Sequence, residues 1–188
     1  MGLVSMVSFG AARTADAQRF VPSADSTKPR ILFPDSLLSW NDRCPVTREK
    51  LSTQIAPVFV NSRPVAFCCN GCVAEFTLNP ARYMRRTHAA LADPVNPQVA
   101  ATLDSVSFVR VNHEIYFLHD AESRAAFEVD PIQYTGPLTD PVSLVRFQPT
   151  PKSPHMVSHG KPFYFSGNAT FATFQAAPDS FEVRKREE

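Results

Sequence analysis

Three Pro-Val tripeptides recur in step along the chain: Cys44-Pro45-Val46, Asp93-Pro94-Val95 and Asp140-Pro141-Val142. Their starts lie 49 and 47 positions apart. Recurrence at that period divides the chain into short supersecondary segments rather than long continuous elements. Other positions keep step. Each tripeptide is followed by an apolar run, ending in Val65-Ala66-Phe67, Ile115-Tyr116-Phe117 and Phe163-Tyr164-Phe165. Polar turns precede these runs at Ser62-Arg63-Pro64, Asn112-His113-Glu114 and Gly160-Lys161-Pro162. Next come Asn70, Asp120 and Asn168, then Phe76, Phe127 and Phe174, then Pro80, Pro131 and Pro178, and finally Tyr83, Tyr134 and Phe181. In this register one extra residue falls between Phe117 and Phe127.

One copy gives the physical unit. Val58-Phe59-Val60 and Pro64 to Phe67 are short apolar runs around a polar turn, which predicts a β-hairpin. Asn70, Asp120 and Asn168 are expected to cap short helices through their side-chain oxygens. Phe76 and its counterparts then face the hairpin. Asn79-Pro80 ends the helix, because the residue before proline resists the α region. The chain has 17 prolines and 6 glycines, roughly twice and half the usual shares, and the recurring prolines fall at element boundaries. The expected fold class is α+β: three tandem hairpin-plus-short-helix modules, over residues 39–88, 89–137 and 138–188. A module of this size has little core, so it needs a metal, a disulfide or a neighbour.

The ends and the overall charge set outer limits. Residues 1–17 read as an export signal, with Ala15-Asp16-Ala17 before the cleavage point, although no basic residue precedes Arg13. An exported, periplasmic or extracellular protein is therefore expected, with residues 18–38 as a polar linker. No apolar run reaches the ~20 residues of a membrane-spanning helix. Basic and acidic residues nearly balance at 19 and 18, which leaves no footprint for nucleic acid. No Ser-His-acid order, Gly-rich phosphate loop or His-Glu-x-x-His motif stands out, so no enzyme is expected.

All four cysteines belong to the first copy: Cys44, Cys68, Cys69 and Cys72. The stretch from about Trp40 to Met84 resembles a YHS domain, one of the TRASH-like group of small metal-binding modules. The resemblance rests on Cys44-Pro45-Val46, Phe67-Cys68-Cys69-Asn70-Gly71-Cys72, Phe76 and Asn79-Pro80-Ala81-Arg82-Tyr83. It implies heavy-metal binding, with Cys44, Cys68 and Cys72 as ligands. Independently, Cys68 falls at a strand end and Cys72 near a helix N-terminus, where the dipole and free N–H groups favour a thiolate. Thiolates select Zn²⁺, Cu⁺ and similar ions. Cys69 is a fourth candidate ligand, since the chain turns there. The expected cargo is one Zn or Cu ion per chain, held by a non-catalytic carrier, sensor or storage module that exchanges with a metal-handling protein.

Two other readings use the same residues. In an oxidising compartment the cysteines could form disulfides that staple a structural or interaction module. Alternatively, Cys69 and Cys72 form a C-x-x-C redox pair, though the βαβ setting of thioredoxin-like folds is missing. Copy two places Asp93, His119, Asp120 and Glu122 near the ligand positions. Turn and cap roles are the simpler reading for its acids. Copy three offers Asp140, Ser166 and Thr170, a poor ligand set. His155 and His159 read as exposed loop residues.

Overall fold

The computed structural model describes residues 18–23, 26–87 and 90–181. The expected export signal, residues 1–17, lies outside the described residues. The segment expected as a linker is structured instead. It holds β1 (Arg19–Ser23) and β2 (Ser26–Leu32), paired antiparallel. Ile31 and Phe33 from this stretch are buried in the core around the cysteines.

A hairpin followed by a nine-residue helix then recurs three times. The first set is β3 (Val58–Val60), β4 (Arg63–Val65), α1 (Asn70–Leu78) and α2 (Pro80–Arg85). The second is β5 (Phe108–Val111), β6 (Glu114–Phe117), α3 (Ala121–Val129) and α4 (Ile132–Thr135). A small ribbon follows, β7 (Leu138–Thr139) and β8 (Arg146–Phe147). The third set is β9 (His155–Ser158), β10 (Lys161–Tyr164), α5 (Asn168–Ala176) and a 3₁₀ turn, Pro178–Ser180. The fold is therefore α+β. The first two hairpins join in one sheet of order β4-β3-β6-β5, where β3 and β6 run parallel through Val60 and Ile115.

In each set two further aromatic rings pack on the helix phenylalanine. Phe76 lies 5.1 Å from Phe67 and 6.3 Å from Tyr83, measured between ring centroids. Phe127 lies 5.1 Å from Tyr116 and 6.0 Å from Tyr134. Phe174 lies 5.2 Å from Phe165 and 5.8 Å from Phe181. Phe76, Phe127 and Phe174 are fully buried, so each removes a large apolar area from water.

Two details of the expected register change. Helices α1 and α5 begin one residue earlier than expected: their N-caps are Cys69 and Gly167, and Asn70 and Asn168 are the first helical residues. Asp120 is a cap as expected, its carboxylate accepting the Ser123 N–H. In addition, Leu118 rather than Phe117 fills the place of Phe67 and Phe165, buried beside the helix phenylalanine. No residue is inserted before Phe127; the difference in length lies upstream of the strand end.

Asparagines tie one set to the next. Asn61 donates to the carbonyls of Ala92 and Phe117 and accepts from the Phe117 N–H. Asn112 does the same one step on, with Thr139 O, Tyr164 O and the Tyr164 N–H. Asn41 plays this part for the first set, through Arg43 O, Ala66 O and the Ala66 N–H. Asn61 and Asn112 sit in hairpin turns at φ 44° and 54°, a left-handed conformation that asparagine tolerates well. Asn112 is 1% exposed, and Asn112→Ala leaves three backbone groups without this partner. We expect a loss of about 3 kcal/mol in chemical denaturation. Asn112→Gly, which relieves the backbone, should recover only a minor part of it.

Candidate metal centre

Three structural pieces converge on the cysteines. Cys44 opens a tight turn in which the Arg48 N–H donates to Cys44 O at 2.9 Å and the Cys44 N–H to Glu49 O at 3.0 Å. Cys68 follows β4, just after the buried Phe67. Cys72 is the third residue of α1, on the face that packs inward. The sulfurs of Cys44, Cys68 and Cys72 all lie within 4.8 Å of one another, and Cys68 Sγ is 3.5 Å from Cys72 Sγ. A tetrahedral zinc with ~2.3 Å bonds spaces its sulfurs roughly 3.8 Å apart, so the three need only small adjustments to close on an ion. Cys44 and Cys72 are buried and Cys68 is half-buried, which leaves one side open.

Cys69 adjoins this group through Cys68 without belonging to the mutually close set of three. It is exposed, with its sulfur 3.8 Å from Cys68 Sγ, and it occupies the N-cap of α1. All four cysteines are free thiols.

The amides around the site favour negative charge. Burial pushes the Cys44 thiol up, but the N–H groups of Thr47, Cys68 and Val46, with the Thr47 hydroxyl, outweigh it and bring it down to about 7. Burial raises Cys72 well above the usual thiol range, and the neighbouring sulfurs add to the rise. Burial also raises Cys68, against hydrogen bonds from Thr47 and Cys72. Cys69 is lowered, chiefly by the Cys72 N–H at the helix start. Crowding several thiolates together is unfavourable without a cation among them, and a metal ion supplies that charge. The Thr47 hydroxyl lies 3.4 Å from Cys68 Sγ. Arg86 donates to Val46 O at 3.2 Å, and Arg48 donates to Arg86 O at 3.4 Å. These two cations flank the Cys44 turn.

The other residues singled out in the sequence form no such group: among the described residues, the Cys44–Cys68–Cys72 cluster is the one with ligand spacing. The His119 ring contacts Ala100 O at 2.8 Å, while its backbone N–H donates to the Asp93 carboxylate. Glu122 lies in the first turn of α3 and is exposed. His155 stacks on Tyr164, and His159 lies 3.9 Å from Asp179. Thr47 was not anticipated as part of the site. Its signal is its place three residues after Cys44, the reach of a turn side chain back to its first residue.

No known protein family, curated protein or solved structure matches this chain. Among the described residues, no helix is long and apolar enough to cross a membrane.

Proposed function

We propose that the protein is an exported, YHS-like heavy-metal-binding protein that carries, senses or stores one Zn or Cu ion through Cys44, Cys68 and Cys72. The observation that carries this reading is the convergence of three thiols from separate places in the chain within 4.8 Å. Three thiolates suit trigonal Cu⁺ and also leave a fourth position on Zn²⁺ for solvent or a partner's ligand. The open side of the site, at Cys68 and Cys69, is where a metal-handling protein would exchange the ion. Arg48 and Arg86 offset the net negative charge of a three-thiolate centre. Nothing in this chemistry calls for a catalytic group.

Metal protection of thiols tests the proposal. Reduced protein is titrated with Zn²⁺ or Cu⁺ and then alkylated, and the labelled cysteines are mapped by mass. One equivalent is expected to shield Cys44, Cys68 and Cys72 while Cys69 stays reactive. Labelling of all four that does not respond to metal would refute the reading.

A further inference from the structure

The three ligand positions exist in all three hairpin–helix sets, but they hold Asp93, His119 and Ser123 in the second and Asp140, Ser166 and Thr170 in the third. In the first, Cys44 heads a turn in which its N–H donates to Glu49 O at 3.0 Å and its carbonyl accepts from Arg48 N at 2.9 Å. In the third, Asp140 heads the same turn, with Val145 O at 2.9 Å and Leu144 N at 3.0 Å, and its carboxylate accepts from Val142 N at 2.9 Å and Ser143 N at 3.0 Å. Its other oxygen accepts from Ser166 N at 2.7 Å, the counterpart of Cys68. The Ser166 and Thr170 hydroxyls also donate to it, each at 2.7 Å. Thr170 is the third residue of α5, as Cys72 is of α1.

The second set repeats the scheme. Asp93 accepts from Val95 N, Asn96 N and His119 N, at 2.7, 3.1 and 2.6 Å. Ser123, third residue of α3, is buried at the helix position of Cys72 and Thr170. Asp93 and Asp140 are fully buried. A buried carboxylate without a cation needs its lone pairs filled by donors; three reach Asp93 and five reach Asp140. Burial would raise Asp140, but these donors hold it down at about 2. The same turn therefore presents a cysteine in the first set and a carboxylate in the third, and the matching position of the second also holds a carboxylate.

We propose that the Asp93 and Asp140 clusters are ion-free staples, built at the position where the first set takes its metal. Carboxylate and hydroxyls join turn, strand end and helix there, as three thiolates and an ion do in the first. Metal then controls the order of the first set alone, on a base formed by the second and third that is indifferent to metal. The part concerning metal rests on the function proposed above; the equivalence of the clusters does not.

The triple variant Asp140→Cys/Ser166→Cys/Thr170→Cys in the full chain separates the two. It is expected to bind one zinc equivalent more than the unaltered chain. If the unaltered chain binds none and the variant binds one, the equivalence stands and the proposed function falls. A folded variant that gains no zinc overturns the equivalence. Should the variant fail to fold, hydrogen exchange on Asp140→Asn decides. Exchange is expected to rise at least about tenfold in residues 140–176 with zinc present or chelated, and unchanged exchange overturns the staple. In the unaltered zinc-loaded chain, chelation should speed exchange in residues 44–85 and leave 108–176 as they were. Equal loosening of all three sets contradicts the proposal.

Discussion

A chain carrying Cys72→Ser is expected to bind Zn²⁺ or Cu⁺ at least about 100-fold more weakly than the unaltered chain, measured by competition with a chelator. Loss of groups that merely orient ligands costs 10–100-fold, and Cys72 would be a ligand itself. It is 4% exposed, is held rigidly by α1, and has its sulfur 3.5 Å from that of Cys68. A serine hydroxyl there does not ionise near neutral pH and is a poor match for a soft ion. The fold should survive, because Phe67, Phe76 and Tyr83 still fill the first core. Cys69→Ser is the internal control. Its sulfur is exposed and outside the three-sulfur group, so its affinity should stay near that of the unaltered chain. Equal losses in the two variants would mean that four sulfurs hold the ion.

Arg146→Ala is expected to destabilise the protein by about 3–5 kcal/mol in urea unfolding. Arg146 lies on β8 and reaches four parts of the chain. It bonds Glu114 at 2.9 Å and Asp35 at 3.3 Å, donates to Pro137 O at 2.6 Å, and lies 3.6 Å from the centre of the Phe59 ring. Glu114 is 2% exposed and also accepts from the Thr139 N–H, the Thr139 hydroxyl and Tyr116. Removing the guanidinium leaves a buried carboxylate without its cation. Burial already raises Glu114, and Arg146 is the main group opposing that rise. In the variant the carboxyl should therefore take up a proton on folding, so the loss should shrink as pH falls. The double variant Arg146→Met/Glu114→Gln, which removes both charges, should lose less than Arg146→Ala alone. A loss under about 1 kcal/mol in Arg146→Ala would show that Arg146 acts only as a surface ion pair.

The helix phenylalanines, the prolines after them and the hairpins were legible in the sequence because each is a local pattern of spacing and turn chemistry. Asp120 as a cap belongs to the same class. What was not legible depends on contacts across long stretches of chain. Asn61 and Asn112 read as ordinary turn residues, yet each bonds a strand end more than fifty residues away. Asp93 reads as a turn residue and is one, through Val95 and Asn96, but its second oxygen serves His119, 26 residues on. The segment around β1 and β2 looked like a linker because prolines and polar residues dominate it, while only Ile31 and Phe33 are deeply buried. For the site itself, sequence spacing brought out all four cysteines. The division between three mutually close sulfurs and Cys69, whose sulfur reaches Cys68 at 3.8 Å but lies outside that group, required the geometry at the start of α1.

Elemental analysis of the full chain, purified without oxygen or added chelator, decides whether the three-thiol cluster holds a metal ion. About one Zn or Cu per chain is expected, and none in Cys44→Ser/Cys72→Ser protein of normal fold. Unaltered protein that is metal-free, with all four thiols titratable and no uptake of added Zn²⁺ or Cu⁺, would contradict this expectation.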